Sequence, residues 1–340
     1  MPLYPLKFVP WYLEKIWGGR KIQTVLGKST PPGKIGESWE IYDIPPGVVG
    51  NNKEWLSAAV ANGVLAGRTL HELVGQFGEE LYGDVGLVNG EQFPILIKYL
   101  DAGEDLSVQV HPDAEYCRTH PGSFLKTEAW YIVQHDPETQ LLKGLVPGVT
   151  REAFAKAIAD GTVEQLIRAI KVKDGDCYFL RSGTVHTLGK GVLAAEVQTP
   201  SDSTFRVYDF NRVDPSTGKP RPLHVQQALE CIDFAGKNDV PQVRSHVASV
   251  HTAVTRLCTC EFFTMEKVRF VGGVQQQIPY DQPVVWMMLE GEAEIGVAGI
   301  AEATALRRGD TVLLPAKMDK PTLKTRTDCV WIEVTFPTKR

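Results

Sequence analysis

Paired cysteines, long hydrophobic runs and a large excess of charge are all scarce in this sequence of 340 residues. The six cysteines form no CxxC pair, which argues against a thiolate zinc site and favours buried, reduced thiols. No stretch reaches the roughly 18 apolar residues of a transmembrane helix. The formal net charge of -5 lacks the basic excess of nucleic-acid-binding domains. Because the first residues also lack the apolar core of a signal peptide, we expect a cytoplasmic protein without membrane or nucleic-acid partners.

Short, branched and aromatic-rich segments dominate the sequence and predict a mainly β fold. Between residues 95 and 134 such segments are separated by glycine, aspartate and proline clusters, and beyond residue 239 we predict strands alone. Apolar residues at helical spacing interrupt the first half. Thr69 with Glu72 predicts a capped helix start, and the pair Asp160-Gly161 predicts a break between two helices. The predicted helical insertions cover about residues 55–83, 150–172 and 222–234.

Two segments resemble each other and indicate an internal repeat. GDCYFLRSG at 175–183 and GDTVLLPAK at 309–317 both place a glycine-aspartate turn before a short strand. Many short strands with such turns are typical of jelly-roll or cupin barrels, so we predict two of them. The first would span residues 1–238 with the helical insertions, and the second residues 239–340. The second segment is followed by no histidine, whereas the first continues to His186, so only the first barrel is predicted to bind a metal.

Four polar side chains stand in strands that are otherwise apolar and predict a metal site. Gln109 and His111 share one face of the strand that Pro112 ends, since side chains two apart in a strand point the same way. Glu128 and His186 come from two further strands. Two imidazoles, a carboxylate and an amide oxygen suit zinc and other divalent first-row metals. Individually, His111 could cap a turn, Glu128 could pair with a lysine, and His186 could be a satisfied buried histidine.

A second group of charged residues occupies similarly apolar strands. Lys98, Lys126 and Glu196 each stand among hydrophobic neighbours, and Arg206 shares a strand face with Thr204. One interpretation is an ion-pair network that only neutralises buried charge. The other is a polar pocket beside the metal whose cations bind a phosphate, because phosphate is recognised by arginine and lysine donors at fixed positions.

These motifs together resemble the type I mannose-6-phosphate isomerases of the cupin superfamily, in their shorter bacterial form. The resemblance extends over about residues 5–235, and residues 239–340 match only as a degenerate barrel. The segments that carry it are IWGG (16–19), GESWEI (36–41), LIKYLDAGEDLSVQVHPD (96–113), KTEAWYI (126–132), GDCYFLRSGTVHTLGKG (175–191) and AAEVQTPSDSTFRVYDFNR (194–212).

The resemblance implies one Zn²⁺ per chain and names its ligands. The family's metal positions fall on Gln109, His111, Glu128 and His186, with Gln109 outside the usual His, Glu and His set. The implied catalytic residues are Arg206, Glu196 and Lys126, and the implied substrate-binding residues are Lys98, Lys126 and Arg206.

The implied reaction interconverts mannose 6-phosphate and fructose 6-phosphate through an enediol. A phosphorylated hexose is then the partner, and we expect a monomer or a small homo-oligomer. Two alternatives stay open from the residues. Two histidines and a carboxylate on a cupin barrel also form the metal site of non-haem iron oxygenases. A non-enzymatic sugar-binding or regulatory cupin would instead close the coordination sphere of its metal.

Overall fold

The computed structural model describes residues 2–50, 52–215 and 217–337. About 40% of the chain is strand and 14% helix, which confirms the prediction of a mainly β protein. Four large antiparallel sheets, A to D, carry the architecture, and none of them closes on itself within the described ranges. No helix of the described chain is long and apolar enough to cross a membrane.

Each large sheet has a spatial order of strands that differs from their order along the chain. In spatial order, sheet A contains Cys177–Leu180, Glu128–Gln134, Leu193–Gln198, Leu96–Asp101, Ile35–Ile41 and Trp11–Gly19. Sheet B contains Ile167–Lys171, Gln140–Leu145, His186–Thr187, Val108–Val110 and Phe205–Tyr208. Sheet C contains Leu6–Lys7, Thr311–Leu314, Val284–Glu290, Cys329–Thr335, Thr264–Phe270, Thr252–Thr259 and Ser245–Ala248. Sheet D contains Gln275–Gln277, Thr322–Thr325, Glu292–Gly296 and Thr304–Arg307. Two short ribbons pair Asp43–Ile44 with Leu56–Ser57 and Val213–Asp214 with Lys219–Pro220.

The four sheets are stacked in the order B, A, C, D, with the alternating side chains of their strands packed between them. On one face of sheet A, Trp130 and Leu100 pack with Leu141 and Leu188 from sheet B and its continuation. The opposite face of sheet A joins the largest hydrophobic cluster, which also includes residues of sheet C such as Met287. Strand side chains alternate between the two faces of a sheet, and these two clusters bury both faces of sheet A. Polar residues on the face toward sheet B must therefore lie in a site that is closed to bulk water.

The other face of sheet C packs against sheet D. Trp286 and Trp331 of sheet C share a cluster with Ile295 and Leu323 of sheet D. The N-terminal strand Leu6–Lys7 pairs with Thr311–Leu314, so the start of the chain belongs to sheet C. The two halves of the sequence are therefore joined both by this strand and by the continuous core between sheets A and C.

The helices are short and lie outside the paired sheets. They are Lys21–Thr24, Leu70–Phe77, Glu79–Tyr82, Ala114–Thr119, Arg151–Asp160 and Val225–Cys231, with 3-10 turns at Gly63–Leu65 and Val163–Leu166. Phe154 and Ala228, from two of these helices, pack on Val108 and Val110, which line the outer face of sheet B. These helices cover the back of the sheet that carries the histidine strands.

Most predicted helices are present, but three segments differ from the prediction. The insertion predicted over 55–83 begins with the strand Leu56–Ser57, because these residues pair with Asp43–Ile44, and its first α-helix starts only at Leu70. The helix predicted after Gly161 is a 3-10 turn followed by the strand Ile167–Lys171, which pairs with Gln140–Leu145 at the edge of sheet B. Backbone pairing with the sheet edge outweighs the weak local preference for a helix. Conversely, residues 114–119 form a helix inside a region predicted as strands, because Asp113 accepts a hydrogen bond from the Tyr116 amide as an N-cap.

The capping box of the helix Leu70–Phe77 gives a test of local stability. The Thr69 hydroxyl accepts a hydrogen bond from the Glu72 amide at 3.2 Å, and the Glu72 carboxylate accepts one from the Thr69 amide at 2.9 Å. Thr69→Ala should lower the free energy of unfolding by about 1 kcal/mol, measured by urea denaturation. The control is Thr162→Ala, because Thr162 precedes a 3-10 turn without a side-chain capping bond. Equal effects of the two substitutions would contradict the assignment.

Candidate metal centre and adjoining cavity

Two histidines and a glutamate meet between sheets A and B. The Glu128 carboxylate lies 3.4 Å from Nε2 of His111 and 3.2 Å from Nε2 of His186. One potential ligand atom from each residue lies within 4.8 Å of the other two, and all three residues are buried. Glu128 projects from the inner face of sheet A, His186 lies in sheet B, and His111 directly follows the strand Val108–Val110. The fold therefore brings together three of the residues predicted as metal ligands.

The other ring nitrogen of each histidine is held by the backbone. Nδ1 of His111 donates to the Ser203 carbonyl at 2.9 Å, and Nδ1 of His186 donates to the Thr184 carbonyl at 2.8 Å. With the proton on Nδ1, each Nε2 keeps its lone pair and points at the carboxylate. Backbone carbonyls that fix the ring in this way are the usual outer support of a metal-binding histidine.

The charge states of these side chains are those that a metal ion requires. Burial, together with the nearby Lys126 ammonium, lowers the pKa of His111 to about 3, so the imidazole is neutral at physiological pH. Although burial alone would raise it, Lys126 and His111 hold the pKa of Glu128 well below its ordinary value. A neutral imidazole and an ionised carboxylate are both ready to donate electron pairs.

Three atoms of the triad that could bind a metal make no hydrogen bond in the described chain. They are Nε2 of His111 and both carboxylate oxygens of Glu128, all buried. The ion pair with Lys126 offsets part of the Glu128 charge, but buried polar atoms without a hydrogen bond are rare in folded proteins. The nitrogen and oxygen donor set suits a divalent metal such as zinc, which would satisfy all three residues at once. The triad therefore fits a metal ion.

Gln109 lies at the edge of this triad. Its side-chain Nε2 is 3.5 Å from Nε2 of His186, and its Oε1 accepts a hydrogen bond from the Ser107 hydroxyl at 3.2 Å. The strand register pairs Gln109 with both His186 and Arg206, so it lies between a metal-ligand candidate and a cation. Its oxygen is thus directed to Ser107 in this conformation, and a rotation of the amide is needed to offer it to a metal.

A polar cavity of about 210 Å³ adjoins the triad between the same two sheets. Gln109, Lys126 and Trp130 line it and also neighbour the triad: the Lys126 ammonium lies 3.0 Å from the Glu128 carboxylate, and the Trp130 ring packs edge-on to His186. The basic side chains of the lining are Lys15, Lys98, Lys126, Arg206 and Arg221, and the acidic ones are Glu37, Glu196 and Asp202. Cations therefore outnumber carboxylates, which suits an anionic ligand.

Glu196 and Lys98 face each other across neighbouring strands at the bottom of this cavity. The Glu196 carboxylate lies 3.8 Å from the Lys98 ammonium and accepts a hydrogen bond from Trp130 Nε1 at 3.3 Å. Burial and the nearby Glu128 carboxylate raise the pKa of Glu196 to about 8, against the opposing effect of the lysines. Lys98 also lies 3.4 Å from Glu37, and these carboxylates keep its pKa raised in spite of burial. Two buried carboxylates therefore differ sharply in proton affinity, as in many acid-base sites.

Arg206 is held at one side of the cavity with donor groups to spare. Its Nη1 donates to the Pro222 carbonyl at 2.9 Å, whereas its buried Nε has no partner in the described ranges. Asp209 holds the neighbouring Arg212 and Arg221 at 2.5 Å and 2.6 Å. A single carboxylate thus positions two arginines beside Arg206, leaving an excess of positive charge at this side.

Four charged lining residues, Lys15, Glu37, Asp202 and Arg221, were not predicted as site residues from the sequence. Glu37 lies in the segment GESWEI and could have been recognised as a carboxylate in a buried strand, as Glu128 was. Lys15 pairs with Glu37 at 2.8 Å, and its position in an aromatic strand was a weaker sign. Arg221 lies beyond the short strand Lys219–Pro220 and has no periodic pattern around it, so only the fold shows that it reaches the cavity.

The chain is similar to known proteins along most of its length. The family model of the phosphomannose isomerase type I catalytic domain matches residues 6–142. Mannose-6-phosphate isomerase of Streptococcus mutans is 36% identical over 89% of this chain and 89% of its own length. Mannose-6-phosphate isomerase ManA of Bacillus subtilis is 34% identical over 97% of this chain and 99% of its own.

Solved structures give the same result. The crystal structure of the mannose 6-phosphate isomerase from Bacillus subtilis superposes with a TM-score of 0.86 at 32% identity, over 98% of this chain and 100% of that one. The structure of a putative mannosephosphate isomerase from Archaeoglobus fulgidus, at 19% identity, shares the fold with a TM-score of 0.72. Sequence identity, coverage and fold agree along nearly the whole chain. This protein belongs to the phosphomannose isomerase type I family, the mannose-6-phosphate isomerases.

Proposed function

We propose that this chain interconverts mannose 6-phosphate and fructose 6-phosphate by a zinc-dependent proton transfer between C2 and C1. The observation that supports it most is the buried triad of His111, Glu128 and His186, whose ligand atoms include three without a hydrogen bond, beside a cavity rich in lysine and arginine. The cations of the cavity suit a phosphate ester, which favours the isomerase over the oxygenase that shares the ligand set.

The proposed metal ligands are His111, Glu128 and His186, and Gln109 is a fourth candidate after rotation of its amide. Zinc held there supplies Lewis-acid stabilisation of the negative charge that develops on the sugar oxygens. Such stabilisation is needed because a proton on carbon next to a carbonyl is a very weak acid. One zinc ion per chain is expected.

We assign the proton transfer to Glu196. It removes the proton from C2 of mannose 6-phosphate, which leaves an enediolate with the negative charge on O1. The hydroxyl proton of O2 passes to O1, and Glu196 returns the first proton to C1, which gives fructose 6-phosphate with its carbonyl at C2. Only the ionised carboxylate accepts a proton, and its raised pKa makes that form a strong base. Neutralisation of the Glu128 charge would lower the pKa of Glu196 toward neutrality and so increase the ionised fraction. Trp130 and Lys98 hold the carboxylate in place from two neighbouring strands.

The remaining cations bind and orient the substrate. Lys126, next to Glu128, is placed to donate to the sugar oxygens near the triad. Arg206, with a free buried Nε, is placed to orient the enediol or neutralise its charge, and Lys98 with Arg206 contributes to phosphate recognition. Holding the reacting carbon beside Glu196 is the main contribution that such contacts make to the rate.

We also propose that sheets A with B, and C with D, are two cupin-type jelly-roll units with a boundary near residue 238. Both units pair two antiparallel sheets around a core, and the repeated glycine-aspartate turns fall at Gly175 and Gly309 with a positive φ of 87° and 85°. The N-terminal strand Leu6–Lys7 would then belong to the second unit by its pairing.

The activity is tested by incubating the purified protein with fructose 6-phosphate, with and without a metal chelator. We expect mannose 6-phosphate to form, the chelator to abolish its formation, and added zinc to restore it. Formation that resists complete metal removal would contradict zinc dependence, and an absence of mannose 6-phosphate in the metal-loaded protein would contradict the proposed reaction.

The metal ligands are tested by His186→Asn with His120→Asn as the matched control. His120 is half-exposed and outside the triad. After gel filtration, His186→Asn should contain at most about a tenth of the zinc per chain of the wild type, because it lacks a direct ligand. The zinc content is measured by inductively coupled plasma mass spectrometry. The control should keep the full content. Full zinc content in His186→Asn would exclude this histidine as a ligand.

The role of Glu196 is tested by Glu196→Gln. This substitution keeps the shape of the side chain and replaces the carboxylate by an amide, which does not accept the proton. Exchange of the C2 proton of mannose 6-phosphate with deuterated water should slow by at least about 100-fold, followed by NMR. Zinc content should be unchanged, which separates loss of the base from loss of the metal. Unchanged exchange at unchanged zinc content would remove Glu196 as the base.

A further inference from the structure

A second buried glutamate lies between sheets C and D, far along the sequence from the catalytic candidates. Glu333 is only 6% exposed and faces Trp286 and Glu266 on the neighbouring strands of sheet C. It lines a cavity of about 160 Å³, together with the aromatic rings of Phe270, Tyr280, Trp286 and Trp331. The cavity reaches the surface beside the exposed strand Gln275–Gln277.

The Glu333 carboxylate is held by three neutral donors that all meet at one oxygen. Oε2 accepts hydrogen bonds from the Tyr280 hydroxyl at 2.7 Å, from Trp286 Nε1 at 2.9 Å and from Trp331 Nε1 at 3.3 Å. In the described part of the chain, Oε1 has no partner and no lysine, arginine or histidine pairs with the carboxylate. One oxygen of a buried carboxylate is therefore available to a ligand.

The charge around this cavity is negative at its base. Glu266 pairs with Arg256 at the rim at 3.1 Å, and its negative charge adds to the burial that raises the pKa of Glu333. A buried carboxylate without a cation is destabilising, and a positively charged ligand would offset that effect. The cavity itself therefore favours a cation over an anion.

The aromatic side chains of the cavity favour an organic ammonium ion over a metal ion. The Trp286 and Trp331 rings lie 4.6 Å apart at 34° and pack on each other, so they form one continuous aromatic wall, and Tyr280 meets Trp286 edge-on at 6.3 Å. Aromatic faces attract ammonium groups, including quaternary ammonium ligands. Hard inorganic cations instead need several oxygen ligands, whereas Glu333 offers one free oxygen here. In the described residues no second metal-binding triad exists, so this is not another metal centre.

We propose that the cavity between sheets C and D is a binding site for a small organic ammonium ion, with Glu333 as its counter-ion and Trp286 and Trp331 as its aromatic wall. The small volume excludes drug-sized ligands, which occupy pockets of about 300 Å³ or more. The site is separate from the isomerase triad and uses none of its residues.

The probes are choline and its uncharged isostere 3,3-dimethyl-1-butanol, in which carbon replaces the ammonium nitrogen. Both are titrated into the full-length, zinc-loaded protein at constant ionic strength, and tryptophan fluorescence is followed because two tryptophans line the cavity. Choline should bind at least about tenfold more tightly than the isostere, since only choline has the charge that Glu333 and the rings recognise. Equal binding of the two compounds, or no response to either, would overturn the proposal.

The residue assignment is tested by Glu333→Gln, which removes the charge with little change of shape. The matched control is Glu302→Gln, at an exposed position of the same half of the chain. The first variant should bind choline at least about tenfold more weakly, and the control should bind like the wild type. Unchanged binding in a folded Glu333→Gln variant would overturn the assignment.

Isomerase activity serves as the independent readout of folding. Both variants and choline-treated wild type should keep it, because the cavity is not part of the proposed catalytic site. If Glu333→Gln does not fold, the comparison of choline with its isostere on the wild-type protein still decides the proposal. Failure to bind choline would leave the mannose 6-phosphate assay unaffected, so the two proposals fail separately.

Discussion

A fully buried carboxylate, that of Glu128, sets the main constraint on the first half of this protein. An ionised group with no exposure is stable only when opposite charges or donors surround it. Here the Lys126 ammonium lies beside it, and the imidazoles of His111 and His186 approach from the opposite sheet. Keeping these groups in place requires sheets A and B to stay packed face to face. The helices behind sheet B and the core between sheets A and C stabilise that packing.

The residues of the triad were predictable because each one breaks a local pattern. A histidine or glutamate among branched and aromatic residues in a strand needs a partner, and the sequence positions of His111, Glu128 and His186 place them on three strands. Lys15 and Arg221 were not predictable in the same way, because the strand Trp11–Gly19 and the segment after Lys219–Pro220 reach the cavity only through the arrangement of the sheets. The segment 163–171 shows the same limit for the fold: its pairing with Gln140–Leu145 is a long-range contact that local periodicity does not contain.

Each of the two sheet pairs buries a glutamate, and the groups around these two glutamates differ in charge. Between sheets A and B, a lysine and two histidines surround Glu128, and the neighbouring cavity has more cations than carboxylates. Between sheets C and D, Glu333 has neutral aromatic donors and a second carboxylate nearby. A similar arrangement of paired sheets can therefore present an environment suited to a phosphate ester in one place and to a cation in another.

The proposed reaction depends on His111, Glu128 and His186 holding the metal of a mannose-6-phosphate isomerase. A crystal structure of the zinc-loaded protein, with anomalous data collected on both sides of the zinc absorption edge, tests this metal site without reference to activity. We expect one anomalous peak per chain, about 2.0 to 2.2 Å from Nε2 of both histidines and from a Glu128 oxygen. A peak bound elsewhere, with the triad empty, would contradict the proposed metal site.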